Sequence, residues 1–497
     1  MIQTDKQLTQ VNRPVFIDLF AGCGGLSLGL SWAGFRGLLS VERSPMAAES
    51  YYHNLVKRIP GDDVSFWQRY AEGAPQEDEN TRVRRQLEAG LFVGGIQPLL
   101  ERHEKILRQV ISAKIRQFKT DGEVDLIAGG PPCQGFSMAG RRVANDSRNR
   151  MPWHFLEFVE MFKPKFVLIE NVTGIRLKFV KHGGEAVADQ LRIALEQKGP
   201  GYTSQVMLLN AHHFGVPQHR PRTVIVGIRN DLATKFKIES TWPFWKSKFA
   251  EEIDHLQRVK LAPRPIRQAD CTHVKDAFQD LNNRGYLGVK PLGYSAEMRK
   301  LRDVPAKTDA PNSLLNHVLR NHCDRVERRF RLYQTLRANR IDEQLVMHAA
   351  KANGHVRDQV RRLVDQAIES SGARFPMRSP DGELVLHSRE QVVTVLLECR
   401  TKKHSQRALS PDSPSPTVMT LPDDFVHHEH ARTLTVREMA RLQSFPDSFE
   451  FRSKETTGGH RRREEVPQYS QVGNAVPPLM AEAIGKQFIE LLKETND

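Results

Sequence analysis

Cys133 stands in "GGPPCQGFS", residues 129–137, directly after two prolines and a glycine pair. The run before it, "VDLIAGG", reads as a buried strand and its exit turn. Pro131 and Pro132 fix φ and remove two donors, so the cysteine sits on a stiff loop. A stiff loop at the carboxyl end of a strand is where open α/β sheets keep their chemistry. A thiolate there can act as a nucleophile; a small thiol filling a gap is the other reading. A second group of polar residues surrounds "DLFAGCGG". Gly22, Gly24 and Gly25 allow a tight turn, but Ser27 stands where a dinucleotide fingerprint has its third glycine. Asp18 precedes that turn, which disfavours a pyrophosphate and tolerates a cationic amine. Glu42 ends the next strand, where an acid takes ribose hydroxyls. A ribonucleoside without phosphates and with a positive centre fits these two acids better than a dinucleotide does. The alternative is a glutamate at a strand end with no ligand.

These residues need a frame. The sequence predicts strands at "PVFIDLF" (14–20) and "RGLLSVE" (36–42), joined through a glycine-rich turn and a helix. Further apolar runs follow at "VDLIAGG", "PKFVLIENV" (164–172), "YTSQVMLLNA" (202–211) and "RTVIVGI" (222–228). Helix-length segments separate them, so the expected fold class is α/β, a doubly wound, mostly parallel sheet. "EKILRQVISAKIRQF" carries apolar residues at 106, 107, 110, 111, 115 and 118, the spacing of an amphipathic packing helix. The tail from Leu479 is another. Arg220 and Arg222, in "QHRPR", occupy alternate positions of a strand, which puts both on one face. Residues 321–340 hold six arginines against two acids. They form either a phosphate-contacting helix or a solvated face.

With 497 residues the chain is too long for one core. Its 73 basic and 59 acidic side chains give a net charge of +14, which suits a polyanionic partner. Five cysteines are widely spread without a C-x-x-C pair, which argues against cysteine-ligated zinc and a disulfide framework. No metal is expected. The amino-terminal residues contain no apolar signal core, and no apolar run reaches membrane-spanning length. The expectation is a cytoplasmic protein with no membrane partner.

The blocks "FIDLFAGCGGLSLGL", "VERSP", "GGPPCQGFS", "DSRNRM", "ENV", "QHRPRTVIVG", "RTLTVREMARLQSFPD" and "QVGNAVPPLM" occur in this order. Taken together they resemble the C5-cytosine DNA methyltransferase family of bacteria and phages. The resemblance implies a Rossmann-like class I methyltransferase domain from residues 1–229 plus about 460–497, and a smaller target-recognition domain over about 230–459. It implies S-adenosyl-L-methionine as methyl donor, held by Asp18, Phe20, Ala21, Gly22, Gly25, Leu26, Glu42, Pro132, Asn474 and Ala475. It makes Cys133 the nucleophile at C6 of a flipped cytosine and Glu170, in "ENV", the group that holds the base and supports protonation at N3. Arg222 then binds the base and Arg220 assists. Residues 138–151 become a loop closing on DNA, with Ser137, Arg141, Arg142 and Arg148 as contacts. The implied partner is double-stranded DNA, with a cognate restriction endonuclease encoded nearby; the chain is expected to act as a monomer.

Two departures from the family pattern stand out. The acid that contacts adenine aligns either with Asp63, in "PGDDV", or with "VGGI" near 95, which has no acid. Residues 230–405 carry no readable motif, as expected of a segment that differs between members because it reads DNA sequence. An RNA cytosine-5 methyltransferase of the same fold is the alternative enzyme. Ser137, where that branch is expected to have threonine, and the long basic segment both favour duplex DNA. A non-catalytic DNA-binding relative is a further alternative, set against the presence of Cys133, Glu170 and Arg222.

Overall fold

The computed structural model describes residues 13–59, 64–132, 150–177, 186–239, 244–253, 259–300, 314–352, 356–403, 405–459, 461 and 464–494. Cys133, Ser137, Arg141, Arg142, Arg148 and Asp63 lie outside them. An eight-stranded sheet organises the first half of the chain. Its strands are β1 (Val15–Leu19), β2 (Arg36–Glu42), β3 (Leu91–Val93), β4 (Leu126–Gly129), β5 (Phe166–Val172), β6 (Tyr202–Asn210), β7 (Pro221–Arg229) and β8 (Trp245–Lys246). They lie in the order β3-β2-β1-β4-β5-β7-β6-β8. The sheet is mostly parallel, as the apolar runs predict. β7 alone runs against its neighbours, pairing antiparallel with both β5 and β6. Residues 211–220 are too few for a crossover helix, so the chain turns straight back beside β6.

Alternate residues of the central strands feed two cores, one on each face. Val15, Ile17, Val167 and Ile169 face a layer built by α3 (Ile96–Phe118), α4 (Met151–Phe162) and α5 (Val187–Gln197). Phe16, Phe166 and Leu168 face α1 (Gly25–Ala33) and α9 (Pro478–Lys493). In α3 the apolar spacing does what it implies. Leu107, Val110, Ile111 and Ile115 are buried, with Ile106 and Phe118 packed against them.

The last helix therefore lies on the first. Gly29 and Gly485 make this close crossing possible. A Cβ at Gly29 would stand 2.2 Å from the Pro478 carbonyl oxygen, and one at Gly485 would stand 2.6 Å from the Ala33 Cβ. Backbone cannot yield there as a flexible side chain could.

Between α2 (Pro45–Tyr51) and β3 the chain inserts a π-helical turn at Tyr52–Val56 and helices at Val64–Glu72 and Glu79–Ala89. Tyr52, Trp67 and Tyr70 pack their rings together there. The Tyr70 hydroxyl donates to the Leu91 carbonyl at 2.7 Å, and Val93 N–H donates to Gln86 at 3.0 Å. The insertion thus holds the edge strand in place.

The second half forms two further cores. One joins Cys23 and Leu28 to residues 274–298 and 409–475, including α7 (Val436–Leu442) and α8 (Gln468–Asn474). The other gathers α6 (Asp324–Ala338) with the helices Val356–Ser371 and Arg389–Cys399. α6 is neither a free basic face nor only a phosphate helix. Phe330, Leu332, Tyr333 and Leu336 are buried, and Arg329 is buried with its Nε donating to Gln406. Its arginines are divided between core and surface.

The glycine crossing gives a direct test. Gly29→Ala should destabilise the fold by about 1–3 kcal/mol through overpacking. Gly458→Ala, where nothing lies within 4 Å of the added carbon, should stay within about 0.5 kcal/mol. Urea unfolding of both variants beside the parent protein measures the difference.

Candidate active site

The described candidate side chains lie along one edge of the sheet: at the carboxyl ends of β1, β2 and β5, at the amino end of the reversed β7, and in segments that follow or fold over those ends. β4 ends at Gly129 and leads through Gly130, Pro131 and Pro132 to Cys133. Glu170 lies on the neighbouring β5, and its carboxylate is turned toward this exit. A Cβ at Gly130 would stand 3.2 Å from Glu170 Oε2. The other oxygen, Oε1, pairs with Arg222 Nε at 3.0 Å, both side chains being 12% exposed. Register explains the pair. Val172 lies opposite Arg222 and Glu170 opposite Val224, so Glu170 and Arg222 are diagonal neighbours on one face. Asn171 points the other way and ties the two strands together, donating from Nδ2 to the Pro131 carbonyl at 2.9 Å. It fixes the loop two residues before Cys133.

Arg220 lies deeper than Arg222. It precedes β7 and is 1% exposed, so it does not face a substrate. Its Nη2 donates to the carbonyls of Gly473 at 2.8 Å and Ala475 at 2.9 Å, and its Nη1 donates to Val418 at 3.3 Å. Burial disfavours its charge, and the nearby Arg222 adds to that cost. Arg220 thus holds the two residues that flank Asn474. Asn474 itself is exposed, at the end of α8.

At the other end of the site, Phe20 leaves β1 with φ 63°, an uncommon conformation for a non-glycine residue. Ala21 N–H donates to the Val41 carbonyl at 3.0 Å, and Gly24 N–H closes the turn on the Ala21 carbonyl at 3.0 Å. Gly22 has φ 58°, and a side chain there would meet nothing within 4 Å, so the crest of the turn is open. Glu42 stands behind it. Its carboxylate accepts from Gly22 N–H at 2.8 Å and Ser44 N–H at 2.6 Å. Burial pushes its pKa up, and the N–H groups of Ser44 and Gly22 work against that. Each oxygen keeps a second acceptor site, so a pair of ribose hydroxyls can still donate to it.

Two expected contacts sit deeper than a ligand. Asp18 is fully buried, with the Ser27 hydroxyl donating to Oδ2 at 2.5 Å and Oδ1 left without a hydrogen-bond partner. Tyr51 donates to Ser27 at 3.1 Å and Ser40 to Tyr51 at 2.5 Å, continuing the chain of bonds below the turn. Asp18 therefore does not present its charge at the surface. Burial raises its pKa to about 7, with Glu42 adding to the rise and the Ser27 hydrogen bond opposing it. Leu26 is likewise a core residue, packed with Phe16 and Met480. Ala21 is 8% exposed, Gly25 lies under the Val476 carbonyl, and Pro132 is partly exposed. The open turn with a ribose-competent acid behind it suits a ribonucleoside such as S-adenosylmethionine.

Sequence reasoning missed Asn171, Gln218 and Gln443. Gln218 donates to Leu442 O and Gln443 and accepts from Val418 N–H, while Gln443 donates to Val472 O. Both glutamines lie inside quoted motifs, but nothing in their spacing shows where they point.

A mostly parallel, doubly wound sheet with an acid–arginine pair beside the exit of β4 and an open glycine turn after β1 has the architecture of a Rossmann-like methyltransferase. The model of the C-5 cytosine-specific DNA methylase family matches residues 15–74 and 99–490, and the chain belongs to that family. It is 28% identical to the type II methyltransferase M.DdeI of Desulfomicrobium norvegicum, over 97% of this chain and 91% of that one. It is 29% identical to the type II methyltransferase M.AgeI of Thalassovita gelatinovora, over 95% and 98%. Its fold matches, with TM-score 0.54 and 21% identity, a crystal structure described as that of a DNA modification methyltransferase encoded within an E. coli prophage. That match covers 97% of this chain and 99% of that one.

The buried Asp18 predicts a pH signature. Its folded pKa is about 7 against an ordinary 3.8, so its favourable contribution is complete below pH 3.8 and is lost as pH rises through 7. Asp18→Asn should therefore match the parent protein near pH 4. It should be more stable at pH 8 by up to about 4 kcal/mol. Urea midpoints of both proteins across this range check the sign.

Proposed function

We propose that the protein is a type II DNA (cytosine-5-)methyltransferase of a restriction-modification system, acting on a cytosine flipped out of duplex DNA with S-adenosylmethionine as donor. The observation that carries this reading is the Glu170–Arg222 pair beside Gly130, three residues before Cys133. C5 of cytosine is a poor nucleophile. Addition of the Cys133 thiolate to C6 makes C5 enamine-like and places negative charge on the N3–O2 side of the ring. Glu170 holds that edge and supports protonation at N3, and Arg222 compensates the developing charge. S-adenosylmethionine would supply an electrophilic methyl group: the bond to C5 forms as the methyl–sulfonium bond breaks, leaving S-adenosylhomocysteine. Loss of the C5 proton then expels the thiolate and restores the ring. Duplex stacking hides both faces of the base, so the target must leave the helix; base flipping is the general behaviour of DNA methyltransferases. Residues from about 230 to 459 read the site. Arg141, Arg142 and Arg148, in the segment after Cys133, contact the backbone. The basic surplus and the names of the type II relatives support this assignment.

Methylation-sensitive sequencing of DNA from cells expressing the chain, against an empty host, tests it. The expected result is new 5-methylcytosine at one short motif. No new mark, with transfer to RNA instead, would overturn the DNA assignment. Cys133→Ser should abolish turnover while a duplex carrying the motif still binds. Glu170→Gln should slow single-turnover methyl transfer by roughly 10²–10⁴-fold. A normal single-turnover rate in that variant would remove Glu170 from the chemistry.

A further inference from the structure

β3 stands at the edge of the sheet and is three residues long. Its inner side is held by β2. Gly90 O accepts from Ser40 N–H at 2.8 Å, Gly94 N–H donates to Glu42 O at 2.9 Å, and Val93 lies opposite Glu42 in register. On its outer side the insertion supplies side chains in place of a strand. The Tyr70 hydroxyl donates to Leu91 O at 2.7 Å, and Gln86 Oε1 accepts from Val93 N–H at 3.0 Å. Main-chain groups at a covered edge need partners as much as those inside a sheet.

Gln86 is 1% exposed and uses both amide N–H groups as well as its oxygen. Nε2 donates to Tyr70 O at 2.8 Å and to Ala71 O at 3.2 Å. Those carbonyls lie in the last turn of the helix Val64–Glu72, where the helix itself offers no donors. One side chain therefore joins its own helix, Glu79–Ala89, to the end of the helix before it and to the exit of β3. The insertion also packs on the other side of the site. Ala21, in the open turn, shares a cluster with Leu91, Tyr52, Trp67 and Tyr70.

Glu42 aims its carboxylate at Gly22 and Ser44 N–H from a backbone whose carbonyl is held by Gly94. A short edge strand bonded on one side only opens readily. Opening at Val93 and Gly94 would free that carbonyl and let the carboxylate leave its two donors. The bond from Val93 to Gln86 opposes this. Residues 75–98, which include Gln86 and β3, fall outside the stretches matched by the family model.

We propose that Gln86 is a positioning residue for cofactor binding: through Val93 it fixes the backbone of Glu42, and so sets affinity for the methyl donor without touching it. The proposal rests on the reading of Glu42 as the acid that takes the ribose hydroxyls of S-adenosylmethionine. Such a contact is the same before and during methyl transfer, so disturbing it weakens binding and leaves the chemical step alone.

Calorimetric titration of the full-length protein with S-adenosylhomocysteine, beside steady-state methylation of genomic DNA from an unmodified host, tests the proposal. Gln86→Met fills the space without the three bonds. It should raise Kd for S-adenosylhomocysteine and KM for S-adenosylmethionine about tenfold, with kcat within about twofold of the parent value. Val93→Pro keeps Gln86 and its helix bonds and removes only the donor. Proline is tolerated where an edge-strand N–H faces away from the ladder, so this variant should fold and repeat the loss; it decides the matter if Gln86→Met does not fold. Tyr70→Phe removes the bond at Leu91, opposite Ser40, and should stay within about threefold of the parent protein. An unchanged Kd with lowered binding stoichiometry, or a lowered kcat at unchanged KM, would make Gln86 a folding residue only and overturn the proposal. An equal loss of affinity in Tyr70→Phe would overturn it too, because the effect would then belong to the whole edge rather than to Val93 and Glu42. Failure of the parent protein to bind S-adenosylhomocysteine would instead overturn the cofactor reading beneath it.

Discussion

The buried guanidinium of Arg220 is the constraint on which the site depends. It cannot shed its charge at any ordinary pH, and taking such a charge out of water is costly unless its donors are satisfied. Its partners are the carbonyls of Val418, Gly473 and Ala475. Those residues come from two distant parts of the chain, so the two terminal nitrogens of Arg220 find their acceptors only when both have come back to the β6–β7 connection, while its buried Nε is left without a partner. Neighbouring bonds repeat the demand. His219 N–H donates to Ser415 O, Ser415 N–H donates to Pro217 O, and Gln218 bridges Val418 to Gln443. Arg222, two residues on, faces Glu170. One short segment thus sets the Glu170–Arg222 pair and the position of Asn474 together.

The same device recurs in α7. Arg441 is fully buried between Asp280 and Asp447, Glu438 takes both amino groups of Arg432, and Arg437 donates to the carbonyls of Leu315, Pro446 and Phe449. Glu438 also closes a capping box with Thr435. Hydrophobic side chains of similar volume could fill this space, but they would accept several registers. Paired charges accept one, because any slip leaves a buried ion alone. The helix therefore docks residues 274–298 and 314–317 in one arrangement against the segment that leads to α8.

The apolar runs made the sheet legible, since strands buried on both faces read as continuous hydrophobic stretches. The reversal of β7 was not legible in them. It follows from the length of one connection, which carries no hydrophobic signal. Motifs located the site but did not distinguish residues that touch a ligand from residues beneath it. Asp18, Leu26 and Arg220 lie in the right blocks and point inward. Their depth depends on what packs above them: Tyr51 and Ser27 for Asp18, α9 for Leu26, and the returning 473–475 segment for Arg220. α6 shows the same limit from the other side. The count of six arginines over residues 321–340 describes charge, whereas Arg329 is buried because Phe330 and Tyr333 turn that side of the helix into a core.

Strand order explains why two separate groups of residues make one site. Glu42 ends β2 and Glu170 lies on β5, with β1 and β4 between them. At about 4.8 Å per strand, three steps separate them by about 14 Å, too far for one small molecule to use both as hydrogen-bond partners at a single reacting atom. Two ligands entering from opposite sides must meet between them, above β1 and β4. There the chain places a stiff loop, Pro131–Pro132, held by Asn171 from β5. A loop that bridges two ligands must not yield toward either one. Two fixed φ angles and a side-chain bond from the neighbouring strand supply that stiffness.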